Sequence, residues 1–161
     1  MIPPTASSIN QVSRRALLAV AGVVVVALMF ASAAIASDAT LGTSLRTWSQ
    51  KIGVDAHSVA LAAQNRHPRR MVSSAQRFRS DALRARAAIR SQRASTTAGK
   101  QAKRLAVVAF TDYAAAGRLW AASGQARLHG QKAAASRYAR SAATRAKAGN
   151  RFLVRAGRLL R

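Results

Sequence analysis

The chain has no cysteine and no glutamate among its 161 residues, and only four aspartates: Asp38, Asp55, Asp81 and Asp112. Lacking cysteine, it has no disulfides and no thiolate metal sites, an absence that by itself identifies no compartment. The aspartates are far apart in sequence, so no adjacent carboxylate pair offers itself for general acid–base work. The three histidines, His57, His67 and His129, are scattered, and none has the i, i+4 partner of a helical metal site. No Walker loop, G-x-G-x-x-G turn or G-x-S-x-G elbow occurs. No catalytic, cofactor-binding or metal-binding residue is expected, and a serine nucleophile is the one chemistry this inventory leaves open. Aromatic residues make up only 5% of the chain. A core built largely of alanine buries little area, so a small bundle of this composition sits near the margin of stability unless it assembles into a homo-oligomer.

What is present begins with an apolar run. Ala16 to Ala36 is 21 residues without a charge, about 31 Å as a helix and so long enough to cross a hydrocarbon core. Residues 1–15 form a basic n-region in which Arg14 and Arg15 directly precede the run. At its far end Ala34-Ile35-Ala36 supplies the small-x-small pattern of a cleavage site. Segment 16–36 is therefore read as a signal peptide cut after Ala36 or as an uncleaved anchor. Basic residues number two on each flank, Arg14 and Arg15 against Arg46 and Lys51. The arginine pair touches the membrane edge, which favours a cytoplasmic N-terminus and export of the domain beyond residue 36. The rival is an inverted anchor with the basic domain in the cytoplasm. Ser13-Arg14-Arg15-Ala16-Leu17-Leu18 also resembles the start of a twin-arginine export signal, which implies folding before translocation.

Beyond residue 36 lie 125 residues, enough for one small domain. They carry 25 of the 27 basic residues and all four acids, a net charge of +21, with arginine outnumbering lysine 22 to 5 over the chain. Such a surplus repels itself in the compact state and seeks polyanions: anionic lipid, acidic wall polymer or nucleic acid.

The apolar spacing predicts an all-α protein. In segment 37–67, Leu41, Leu45, Trp48 and Ile52 share one face of a short helix that Gly53 would stop, and Asp55 would cap a second running through Ala63. "NRHPRR" breaks the pattern, with Pro68 fitting a new first turn. From 68 to 161 three main helices are expected. The first, 68–93, has Met71, Ala75, Phe78, Ala82, Ala85 and Ile89 as a heptad seam, amid nine arginines between Arg66 and Arg93. The second, about 98–128, is capped by Thr96 or Thr97 and carries the stripe Phe110, Tyr113, Gly117, Trp120, Gly124. Helical spacing favours packing of these rings over base stacking. Asp112 within it is expected to pair with an arginine of a neighbouring helix.

Gly130 turns the chain into the third helix, an αα-hairpin with the second. Its seam is Ala135, Ala139, Ala142, Ala146, Gly149, Leu153, Ala156 and Leu160, with a bend expected at Gly149. Opposite that seam stand Arg137, Arg140, Lys147, Arg151, Arg155 and Arg158, the candidate polyanion-binding face. The small-and-aromatic hairpin is similar to tetratricopeptide helix pairs but lacks their repeat signature, and a twice-occurring "AGRL" is too short to mark duplication. The expected protein is a non-catalytic helical component of the cell envelope, exported or anchored, that touches anionic lipid or wall polymer. Nucleic acid becomes the partner if the basic domain is cytoplasmic.

Overall fold

The computed structural model describes the backbone of residues 9–161 and the side chains from residue 37 onward. The side chains of the signal or anchor segment 16–36, Ala34 and Ala36 included, lie outside those described. Four helices succeed one another: α1 (Ile9–Gln64), α2 (Pro68–Ser91), α3 (Thr97–Leu128) and α4 (Lys132–Arg158). No strand occurs among the described residues. Three short connections make successive helices antiparallel. α2 lies between α1 and α3, and α3 between α2 and α4. Beyond the end of α4, Leu160 reaches α1 beside Gly42.

The two short helices expected in 37–67 are one. α1 runs through Gly53 without a break, and its C-terminal half is a fourth packing member beside the three helices expected. Leu41, Leu45, Trp48, Ile52, Asp55, Val59 and Ala62 keep alternating spacings of 4 and 3, so a stop at Gly53 would have severed a continuous seam. A mid-helix glycine costs about 1 kcal/mol. Burying Val59 alone, 2% exposed, returns about 1.5–3 kcal/mol. Packing outweighs propensity, and Asp55 is a seam residue instead of a cap. The helix ends instead at Gln64, just before Arg66, whose φ of 54° is left-handed. There the N–H of His67 donates to Ala62 O at 2.9 Å and that of Arg66 to Ala63 O at 3.3 Å, satisfying the last carbonyls. Gly130, at φ 70°, ends α3 in the same manner.

All six residues of the α2 seam are buried. Phe78, 1% exposed, meets Tyr113 edge-on at 5.9 Å and Trp120 at 5.2 Å between ring centroids. Such pairs add about 0.5–1.5 kcal/mol beyond burial. The glycines beside the rings are notches. A Cβ on Gly117 would stand 2.8 Å from Arg79 Cβ and 3.0 Å from Ala75 O, so α2 backbone lies directly on α3. Gly149 does the same for α4: a Cβ there would be 2.9 Å from Ala109 O and 3.1 Å from the Tyr113 ring. α4 continues as helix through this position, and Gly149 serves close approach. The alanine seams thus close on one another within a single chain. Ser123 adds a buried tie, its hydroxyl donating to Ala135 O at 2.8 Å.

Candidate polyanion-binding surface

α4 contains no acidic residue, and its seam turns toward α3. Ala135, Ala142, Gly149 and Ala156 are buried, with Ala139, Ala146, Leu153 and Leu160 half-buried. At 3.6 residues per turn, Arg137, Arg140, Lys147, Arg151, Arg155 and Arg158 fall within an arc of about 80° on the opposite side. All six are exposed, and none stands in a salt bridge with a carboxylate of the described residues. The remaining arginine inside the helix, Arg145, is rotated away from them and donates to Asp112 Oδ1 at 3.0 Å. That is the interhelical pair expected of Asp112.

All four aspartates are engaged inside the fold. Asp38 joins α1 to the start of α3: it accepts from the backbone N–H of Ser95 at 3.1 Å and from the Thr96 hydroxyl. Thr96 itself caps α3, its Oγ1 accepting from Gly99 N–H at 2.9 Å. The Asp38 carboxylate lies on the Gly99 Cα, where any Cβ would collide with it. The Thr96 hydroxyl first, then the backbone N–H groups of Ser95 and Thr96, hold the Asp38 carboxyl below its ordinary range. Asp81, buried on α2, receives Lys51 Nζ at 3.3 Å and Arg84 at 3.4 Å. Beside it Asp55 has a buried Oδ2 without a hydrogen-bond partner. Burial foremost, and then a hydrogen bond and repulsion from Asp81, push the Asp55 carboxyl above the usual carboxylate range. Of the 25 Lys and Arg after residue 36, only Lys51, Arg84 and Arg145 are in salt bridges, leaving 22 unbridged among the described residues.

A second cationic feature is not evident from the sequence. Where α2 turns into α3, Arg90, Arg93, Lys100, Lys103 and Arg104 surround an open groove of ≈ 940 Å³ with Val107 and Val108 on its wall. No acid lines it. Lys103 also donates to Gln92 O at 2.5 Å, satisfying a carbonyl just past the end of α2. The signal available in sequence is a tight turn flanked on both sides by cations without an intervening acid. It becomes a site only once antiparallel packing brings the two flanks together.

The aromatic stripe is not a stacking platform for bases. Phe110 and Tyr113 are buried, and half-buried Trp120 rests against Phe78. Burial pushes the Tyr113 phenol up to about 12, so it stays neutral. Among the described residues no group of three or more His, Cys, Asp or Glu could hold a metal ion. Among residues 37–161, whose side chains are described, no helix is long and apolar enough to cross a membrane. Comparison with protein families, curated proteins and solved structures finds no match.

Proposed function

We propose that the chain is a non-catalytic, helical component of the cell envelope, exported or anchored through residues 16–36, that binds anionic lipid or acidic wall polymer through its arginine faces. The observation that carries this reading is the exposed row Arg137, Arg140, Lys147, Arg151, Arg155 and Arg158, with no salt-bridge partner within the described chain. A face that merely kept the protein soluble would not need six like charges in one arc, which raise the self-repulsion of the fold. Direct readout of a base sequence would need a recognition element, and the rings of the α3 stripe, Phe110, Tyr113 and Trp120, are occupied in packing. Binding therefore rests on charge neutralisation and counterion release, is indifferent to polymer sequence, and weakens steeply with salt. The same face would take nucleic acid if the bundle stood in the cytoplasm.

The triple variant Arg137→Glu, Arg151→Glu, Arg155→Glu tests the face. Each basic residue near an anionic surface contributes about 1 kcal/mol, so removing three weakens binding to anionic vesicles by about a hundredfold. Helicity by circular dichroism is expected to be unchanged, because all three side chains are exposed. Vesicle and heparin binding as tight as wild type at moderate salt would show that the face is only solvated.

A further inference from the structure

We infer that the pole of the bundle adjoining residue 37 docks on the headgroups of an anionic phospholipid bilayer, and that the groove between α2 and α3 is the headgroup site. The inference rests on the membrane attachment proposed above and gives it a specific contact. Two observations converge on this pole. The uncharged run ends at Ala36, and the next two residues are fastened to the α2–α3 connection. Ser37 Oγ lies 2.9 Å from Ser95 Oγ, while Asp38 accepts from Ser95 and Thr96. The chain therefore leaves the apolar run directly beside the groove. An attached bundle holds Arg90, Arg93, Lys100, Lys103 and Arg104 at the membrane edge whichever way its other faces turn. Arg46 and Arg161 flank Gly42 and Leu160 toward the same pole.

The chemistry of the groove suits a phosphodiester headgroup. Three guanidinium forks and two ammonium groups address phosphate oxygens, and Val107 with the 44%-exposed Val108 offers an apolar wall to the glycerol and upper acyl carbons. The nearby acid, Asp38, is turned onto Ser95 and Thr96. Distance separates this pole from the rest of the positive charge. α2 has 24 residues, about 36 Å of helix, whereas the field of a membrane surface decays within about 8 Å at physiological salt. Cations at the opposite pole, such as Arg69 and Arg70, stand outside that field.

Because the protein has no cysteine, one engineered cysteine reports one place. Full-length chain with Ser91→Cys, labelled with a polarity-sensitive fluorophore, is reconstituted with vesicles of phosphatidylcholine alone or mixed with phosphatidylglycerol. Ser73→Cys, exposed near the far end of α2, serves as the control. The expected result is flotation with both vesicles and a blue shift at position 91 only when phosphatidylglycerol is present. The shift is reversed by salt, reduced in Lys100→Gln, lost in Arg90→Gln/Arg93→Gln/Arg104→Gln with helicity unchanged, and absent at position 73. Flotation with both vesicles but no lipid-dependent shift at 91 overturns the headgroup site and leaves membrane attachment standing. Failure to float with neutral vesicles overturns attachment and the headgroup site together. An equal shift produced by free inorganic phosphate on phosphatidylcholine vesicles also overturns the assignment to a bilayer.

Discussion

At the scale of single residues, the four aspartates do structural work that their surroundings set. Asp55 occupies a core position between α1 and α2, 7% exposed, next to the Asp81 carboxyl. Its folded-state pKa is raised above the unfolded value, so the stability linked to it is present at acid pH and is lost as pH rises through the folded pKa. Asp55→Asn removes the charge and lets an amide donate to Asp81. It is expected to raise stability at pH 7 by about 1 kcal/mol, the order of an unmet buried hydrogen bond. The gain should shrink toward zero as pH falls through the carboxylate range, a trend that denaturant titration at several pH values measures. A variant less stable than wild type at pH 7 would contradict this role for Asp55. Asp38 has the opposite sign: its depressed pKa gives stability above the unfolded value that is lost as pH falls through the folded one. These residues are unequally legible in the sequence. Asp112, among the apolar residues of α3, announces a need for a cation, and Arg145 supplies it. Asp55 resembles a cap because it stands just after Gly53, although its place in the 4-and-3 spacing is there to be read. The partners of Asp38 lie 57 and 58 residues away, and no local pattern points to them.

At the scale of helices, the glycines separate packing from propensity. Gly149 and Gly157 sit in the same helix, yet a Cβ at 149 meets Ala109 O at 2.9 Å whereas at 157 nothing lies within 4 Å. Gly149→Ala must push α4 off α3 and is expected to lose about 1–3 kcal/mol. Gly157→Ala simply improves helix propensity and is expected to gain about 0.5–1 kcal/mol. Thermal or denaturant unfolding of the two variants checks the pair, and equal signs would contradict the packing described. The seams of α2, α3 and α4 and the N-cap of α3 are readable in sequence because heptad spacing and Thr96 are local signals. The hairpin of α3 and α4 is readable from the turn at Gly130, but the rest of the layering is not. Which helix lies beside which depends on where a glycine faces a partner backbone, and spacing alone cannot say what the partner is.

At the scale of the whole molecule, a small apolar and alanine core carries an arginine surface with almost no internal counter-charge. Among the described residues salt bridges engage three cations, and the remainder must be met by solvent ions or by a polyanion. On the proposed attachment, the pole beside residue 37 meets whatever the apolar run enters, while the α4 face looks sideways along the bundle. A tethered bundle could thus hold lipid at its base and an acidic polymer on its side, both released by salt. That division depends on which side of the membrane the bundle occupies. An epitope placed after Arg161 and challenged with protease in intact spheroplasts, then after lysis, measures this directly. The expected result is removal of the epitope from intact spheroplasts, or its recovery from the medium on a chain beginning at Ser37. An epitope protected until the membrane is broken would contradict an envelope location and turn the arginine faces toward nucleic acid.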